Sequence, residues 1–130
     1  MNSIFFNDPD FIQTSVYQEF MSKNPGKGNL KIHAYAASEA LPVSGLPIEV
    51  SSMIQNKKVI FYNGFTDNSG MVPVLSLPAP SLEINNLEAP LTTVYEIAIP
   101  STAVSYQVNM YDGICVVQNI NYVPGGNNGN

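Results

Sequence analysis

Within each strand-like run after Gly28, apolar residues recur at every second position. The run 29–36 shows this most clearly, because Leu30, Ile32 and Ala34 alternate with a lysine, a histidine and a tyrosine. Successive side chains of a β-strand point to opposite faces of a sheet, so a period of two indicates a strand with one buried face. We therefore predict an all-β fold for this part of the chain.

Seven short runs carry the strand pattern, and turn residues separate nearly all of them. The runs are Asn29–Ala36, Ile48–Ile54, Val59–Tyr62, Val72–Leu77, Thr93–Ile99, Val104–Met110 and Ile114–Val123. The turn signals are Pro42–Gly45, Asn56–Lys58, Asp67–Gly70, Pro78–Pro80, Pro100–Ser101 and Asp112–Gly113. Asn63–Gly64 is a second hairpin signal beside Asp67–Gly70, and either can carry the chain reversal. Seven strands at this spacing predict a sandwich of two sheets.

One amphipathic helix is predicted before the sandwich, over about residues 9–22. Asp8 can cap the first turn, Pro9 suits the first helical position, and Asp10 meets the positive end of the helix dipole. The helix carries an apolar stripe formed by Phe11, Ile12, Val16, Tyr17, Phe20 and Met21. This stripe must pack either on the sandwich behind it or on a neighbouring copy.

At 130 residues the chain has the size of one domain. We divide it into an N-terminal arm with the helix at 1–27, a β-sandwich domain at 28–124 and a flexible tail at 125–130. The stretch 81–92 is predicted to be a long connection, which serves either as a recognition element or as a crossover between the sheets.

The chain is poor in charge. Charged residues make up 12% of it, against roughly 25% in a typical soluble domain. Such a surface suits a protein that packs against a partner, so a homo-oligomer or filament is predicted; a neutral, well-hydrated monomer is the alternative. The net charge of −5 and the absence of arginine argue against nucleic-acid binding. No apolar run could span a membrane and no signal peptide is visible, so synthesis in the cytoplasm is expected.

Residues for catalysis are scarce. The single imidazole, His33, lies on the polar face of the first strand and is interpreted as a surface or interface residue. No G-x-S-x-G motif occurs, and one histidine cannot supply a zinc motif. We therefore predict no enzymatic activity, no metal and no cofactor, with a small hydrolase based on His33 as a weaker alternative. Cys115 cannot form an internal disulfide and is predicted to be a buried, small apolar residue.

Several motifs follow one another in an order that resembles a known family. The segments are Pro42–Gly45, Thr66–Gly70 and Leu75–Pro80, and they resemble the carboxypeptidase-regulatory-like domains, which have a transthyretin-like fold. The closing segments resemble the version found at the front of spore cortex-lytic enzymes, and they are Tyr111–Ile114, Val117–Gln118 and Asn121–Pro124. The resemblance covers roughly residues 28–124.

This resemblance implies a seven-stranded transthyretin-like or Ig-like sandwich without an active site of its own. In the lytic enzymes the chemistry belongs to a separate downstream domain. Transthyretin-like hydroxyisourate hydrolases need several histidines and an arginine, which this sequence lacks. Adhesin modules with a Lys–Asn isopeptide bond are another fold neighbour. Lys31 with Asn119 or Asn121 could supply the bond, but Ile99 stands where the required glutamate would fall.

We therefore predict a non-catalytic structural protein that assembles into an oligomer or filament on the spore or cell envelope. The candidate interface consists of the helical stripe together with His33 and Tyr35. The alternative is a docking module for a cell-wall glycan or a cell-wall-lytic partner enzyme. In that case stacking surfaces would come from Tyr35, Tyr62, Tyr95, Tyr106, Tyr111 and Tyr122.

Overall fold

The computed structural model describes residues 3–36, 41–81, 92–100 and 102–123. Over these ranges the order of elements is β1 (Ile4–Phe5), α1 (Pro9–Ile12), α2 (Ser15–Lys23), β2 (Gly26–Ala36), β3 (Leu41–Pro42), β4 (Pro47–Ile54), β5 (Lys57–Phe65), β6 (Leu75–Ala79), β7 (Thr93–Ala98), β8 (Ser105–Met110) and β9 (Cys115–Asn121). The predicted all-β sandwich is confirmed. Each predicted strand overlaps one of the seven longer strands, and the two-residue strands β1 and β3 raise the described count from seven to nine.

The strands form two sheets. Sheet A has the order β1-β5-β4-β7-β8, and sheet B has the order β3-β2-β6 with β9 paired to β2. Two of the pairings are parallel, β1 with β5 and β2 with β9, and the other strand pairings are antiparallel. Among the described strands, β8 and β9 therefore each lie at an edge of their sheet.

Apolar residues from both sheets fill the space between them. The predicted alternation in β2 is confirmed, because the side chains of Leu30, Ile32 and Ala34 are fully buried there. Sheet A contributes Ile48 and Val50 from β4, and Tyr95, Ile97 and Ile99 from β7 and the residue after it, to the same cluster. In β2 and β7 the period of two thus identifies the face that meets the opposite sheet.

Tyr95 ties the two sheets together by a polar contact inside this core. Its side chain is fully buried, and its hydroxyl donates a hydrogen bond of 2.5 Å to the carbonyl oxygen of Pro78 in β6. A buried hydroxyl needs such a partner, because an unpaired polar group in an apolar core is costly. Burial also raises the pKa of this phenol well above its ordinary value.

Replacing Tyr95 with Phe removes the hydroxyl and leaves the Pro78 carbonyl without that partner. We expect the free energy of unfolding to fall by about 1–2 kcal/mol in chemical denaturation at neutral pH. The raised pKa means that the folded state keeps the phenol protonated to a higher pH than the unfolded state does. The contribution of Tyr95 to the free energy of unfolding is therefore complete below about pH 10 and is lost as the pH rises further. The wild type should therefore lose stability more steeply above pH 10 than the variant does.

Tyr106→Phe is the matched control, because Tyr106 is half-buried and its hydroxyl bonds to no described residue. It should change stability by less than about 0.5 kcal/mol. A Tyr95→Phe variant as stable as this control, with an unchanged alkaline profile, would contradict the role assigned to Tyr95.

The N-terminal segment forms two helices, so the prediction of one continuous helix is wrong. Thr14 explains the break, since its hydroxyl donates to the Phe11 carbonyl at 2.7 Å and accepts from the Tyr17 amide at 3.2 Å. It thereby closes α1 and caps α2. The predicted cap at Asp8 is confirmed by its 3.0 Å bond from the Asp10 amide.

The helical stripe packs on the chain's own sandwich. Phe11 and Phe20 form a second buried cluster with Ile54 of β4 and Val59 of β5. Phe6 and Phe61 stack in the same region, with ring centroids 4.3 Å apart. The stripe therefore takes the first of its two predicted positions, on the sandwich of its own chain.

Four smaller features correct the sequence interpretation. Asn63–Gly64 lies inside β5, so the chain reversal falls at Asp67–Gly70, where the Asp67 carboxylate accepts from two backbone amides. Pro78, predicted as a turn residue, lies in β6, which is tolerated because β6 has β2 on one side only. The turn between β4 and β5 is made by Gln55 and Asn56, both with positive φ. Cys115, predicted to be buried, is exposed, because the alternation in β9 turns it outward.

Residues 82–91 and 124–130 lie outside the described residues. The predicted connection at 81–92, apart from its first and last residues, and the predicted tail at 125–130 therefore remain predictions.

Phe20→Ala tests the packing of the helices on the sandwich. We expect the free energy of unfolding to fall by about 3–4 kcal/mol, because a large buried ring is lost from the second cluster. Chemical denaturation at two protein concentrations measures it, and the loss should be equal at both. Ile12→Ala, at a side chain that is 38% exposed, is the control and should cost less than about 1 kcal/mol. Equal losses in both variants, or a loss that depends on concentration, would contradict this packing.

Candidate functional site

Strands β4 and β7 separate part of the way along their length. Their register runs from Glu49 paired with Ala98 to Ser51 paired with Glu96, and no further backbone pairing between them is described. Just beyond, the hydroxyl of Ser52 donates to the carbonyl oxygen of Val94 at 2.7 Å. A side chain thus takes the place of the backbone ladder, and the two strands diverge.

A cleft opens at this divergence. It has a volume of about 460 Å³ and lies between one side of α2 and parts of β4, β7 and β8. Its lining residues are Val16, Glu19, Phe20, Lys23, Asn24, Ser51, Ser52, Met53, Ile54, Gln55, Thr92, Thr93, Val94, Glu96 and Gln107. The volume falls within the range of small-molecule sites in proteins.

Asn24 holds the end of α2 against the cleft. Its side-chain nitrogen donates to the Phe20 carbonyl oxygen at 2.8 Å, and its side-chain oxygen accepts from the Thr93 hydroxyl in a short hydrogen bond. Asn24 is buried even though it is polar. One side chain therefore closes the helix and fixes it to β7, which makes this wall of the cleft rigid.

The two carboxylates of the cleft differ in their partners. Glu19 accepts from Gln55 at 3.0 Å and forms an ion pair of 3.1 Å with Lys23, so the charge of that lysine is largely offset. Glu96 is half-buried, and its side chain has no hydrogen bond or ion pair with the described residues. The cleft therefore carries one carboxylate that can accept a hydrogen bond from a ligand.

The lining combines apolar walls with a few polar groups. Met53 and Val94 face outward, with 65% and 44% of their surfaces exposed. Ser51 and Gln107 are paired across the strands with Glu96 and supply a hydroxyl and an amide beside it. Apolar surface with convergent polar groups is the composition of binding sites for small organic molecules.

The sequence-predicted interface residues are split by the fold. Phe11 and Phe20 are 9% and 8% exposed, so the structure uses them in its own packing. Val16, Tyr17 and Met21 are half-buried at the edge of the same cluster, and Ile12 is exposed. Val16 and Phe20 also line the cleft. Whether any of these residues meets a partner stays a prediction.

His33 and Tyr35 lie on sheet B, apart from the helical stripe. Their rings meet edge to face with centroids 5.0 Å apart, and Tyr35 is buried. Of the tyrosines predicted to stack on a glycan, Tyr95 lies inside the core and cannot do so. Lys31 is exposed, its backbone is paired with Val117 and not with Asn119, and it has no described acid partner. Nothing in this geometry favours an isopeptide bond.

Sequence reasoning missed the cleft residues on the strands. Ser51 and Ser52 interrupt an otherwise apolar β4, and both are buried. Two adjacent serines in a strand interior were the available signal, because buried hydroxyls need partners or a water-filled space. Glu96 and Gln107 gave no signal, since alternating polar residues in a strand indicate only an outward face.

Within the described part of the chain, no group of three histidine, cysteine or acidic residues is placed to hold a metal ion. No helix found there is long and apolar enough to cross a membrane. A second cavity of about 270 Å³ lies beside α1 and includes Asp8, Phe11 and Lys57 in its lining. It is smaller and is bounded mainly by the N-terminal arm.

Comparison with known proteins gives structural similarity only. No protein-family model matches the sequence, and no curated protein matches it. A 5-hydroxyisourate hydrolase from Klebsiella pneumoniae is similar, with 18% identity and a TM-score of 0.45 over 75% of this chain and 92% of that one. Transthyretin from Sparus aurata has 14% identity and a TM-score of 0.45 over 72% and 91%. A double mutant of the shaft pilin SpaA from Lactobacillus rhamnosus GG has 10% identity and a TM-score of 0.48 over 72% and 49%, so the chain spans about half of it.

These similarities concern the fold alone. Structures with the predicted transthyretin-like fold are among them, and these structures do not show the predicted resemblance to spore cortex-lytic enzymes. The predicted function, a self-assembling structural protein of the spore or cell envelope, is contradicted. The similar structures include a hydrolase and transthyretin, and nothing among them indicates a spore role.

Proposed function

We propose that this chain is a non-catalytic binding module that holds a small organic molecule in the cleft between α2 and the diverging strands β4 and β7. We do not propose a role in the spore or cell envelope, nor the docking of a glycan or a lytic enzyme. The observation that carries the proposal is the end of the β4–β7 ladder at Ser51 and Glu96, beyond which a cleft of about 460 Å³ opens.

The lining supports binding more than catalysis. A hydrolytic site needs a poised base or nucleophile, and the one imidazole of the sequence, His33, lies on sheet B while the cleft is bounded by sheet A and α2. The side chains of Ser51 and Glu96 lie opposite each other in the β4–β7 register but share no described hydrogen bond, and the Ser52 hydroxyl is already bonded to a backbone carbonyl. Such groups orient a ligand by hydrogen bonds without activating it.

Rigidity of the walls also supports the proposal. Asn24 fixes the end of α2 to Thr93, and Glu19 joins α2 to Gln55 in the turn after β4. A preformed site avoids the entropy cost of ordering loops when a ligand binds. Binding in the cleft should therefore need little change in the backbone.

Val94→Trp tests this proposal by filling the cleft from an exposed position. We expect the fragments of a small-molecule library that bind the wild type, detected by ligand-observed NMR, to lose at least about tenfold in affinity, because the indole takes their space. Val74→Trp is the matched control, since Val74 is similarly exposed and lies outside the cleft lining. It should leave binding unchanged. Fragments that bind Val94→Trp as well as the wild type, or no binding at all, would refute the proposal.

A homo-oligomer was predicted from the low charge, and we propose it in a limited form, as a closed dimer through β9. This strand has a free edge in the described sheet, and the range Cys115–Asn121 contains no charged residue and no proline. Edge strands of monomers usually carry such residues, which prevent pairing with another chain. Val117 is 59% exposed on the same strand.

Val117→Lys should convert the dimer to a monomer, because a lysine on a strand edge opposes pairing. Light scattering coupled to size-exclusion chromatography measures the mass of each species. Val74→Lys adds the same charge away from β9 and should leave the mass unchanged. A wild type that is monomeric at about 100 µM, or a dimer that both variants retain, would be evidence against pairing through β9.

The predicted synthesis in the cytoplasm and the predicted resemblance to cortex-lytic enzymes stay predictions.

A further inference from the structure

We infer that the ligand of the cleft carries an ammonium group on a short apolar body, and that Glu96 is the residue that binds this group. The inference rests on the proposed binding function and specifies the chemical class of the ligand. Three features of the cleft carry it: a carboxylate without a partner among the described residues, the C-terminal end of α2 beside the cleft, and the apolar residues of the lining.

Glu96 is the unmatched charge of the cleft. It is half-buried, and of the two carboxylates in the lining it is the one without an ion-pair partner among the described residues. Glu49, another carboxylate of sheet A, does have an ion-pair partner within the chain, because it pairs with Lys58 at 2.6 Å. A partly desolvated carboxylate is stabilised by a cation that donates hydrogen bonds to it, and an ammonium group does both.

The dipole of helix α2 adds a negative electrostatic potential to that of the Glu96 carboxylate. The helix lines the cleft along its length, from Val16 to Lys23, and its C-terminal cap Asn24 is bonded to Thr93 there, so the partial negative charge of the helix end lies beside the cleft. Lys23 does not reverse this field, because its ammonium group is held by Glu19. The potential in the cleft therefore favours cations and opposes carboxylates and phosphates.

Apolar residues define the rest of the ligand. Met53 and Val94 expose large parts of their surfaces at the cleft, and Val16 and Ile54 line it as well. A fully hydrophilic cation would leave this surface in contact with water, whereas an aryl or alkyl body would cover it. The side-chain oxygens of Ser51 and Gln107, beside Glu96, can accept hydrogen bonds from the other N–H groups of the ammonium.

The test compares two probes of the same shape, 2-phenylethylamine and 2-phenylethanol, by NMR titration of the backbone amides and the Met53 methyl group. We expect the amine to bind at least about tenfold more tightly than the alcohol, with shifts at Met53, Val94 and Gln107. Glu96→Gln should remove this advantage and leave the alcohol unaffected, since the side chain keeps its shape and loses its charge. Added salt should weaken the amine alone.

Glu49→Gln is the matched control for loss of one negative charge from sheet A, because Glu49 lies outside the cleft lining. It should leave the preference for the amine intact. Equal binding of both probes in the cleft, or an amine preference that survives Glu96→Gln, would overturn the inference while leaving the binding function in place. If neither probe nor any library fragment shifts the cleft residues of the folded protein, the binding function fails as well.

Discussion

The buried face of sheet A needs two different coverings, and the rest of the molecule is arranged around that need. Along one face of β4, Ile48 and Val50 pack against sheet B, whereas Ile54 packs against the N-terminal helices. Phe61 touches both clusters, and its ring meets Tyr95 edge to face at 5.0 Å. Sheet B alone leaves part of this apolar surface uncovered, so the helices are a structural part of the sandwich. Burial of apolar area is the main favourable term that holds them there.

The cleft is a product of the same division. Between the two coverings β4 presents Ser52, which is buried but polar, and the strand leaves β7 there. The helix end then closes one side of the gap through Asn24, which bonds to both the helix and Thr93. If a single layer covered the whole face of sheet A, the β4–β7 ladder could continue past Ser51 without a change in its packing partner. The position of the candidate site thus follows from how the core is completed.

Local patterns in the sequence predicted the strands well and the contacts between distant segments poorly. Apolar runs bounded by turn signals located all seven long strands, and where a run alternates, as in β2, the period of two also identified its buried face. It failed for Cys115, where an apolar run hid an outward position, and for Pro78, which an edge strand accommodates. The helix was predicted from its stripe and caps, but the break at Thr14 depends on one hydroxyl that serves both helices.

The candidate site lay beyond such reasoning for a physical reason. Ser51 and Glu96 are 45 positions apart in the sequence and meet only through the β4–β7 register, which no local pattern specifies. Likewise Asn24 is 69 positions from Thr93. In the sequence, Ser51, Thr93 and Glu96 are recognisable only as members of two predicted strands. Only the topology brings them to one cleft.

The two terminal strands share a property that bears on how the molecule assembles. Both β1 and β9 lie parallel to strands distant in sequence, whereas β4 with β5 and β7 with β8 are neighbours joined by short connections. Antiparallel neighbours close small loops and form early, while distant parallel pairing must first bring remote segments together against chain entropy. We therefore expect the hairpins of sheet A to form first and β1 and β9 to dock last, so that these two sheet edges are completed late in folding.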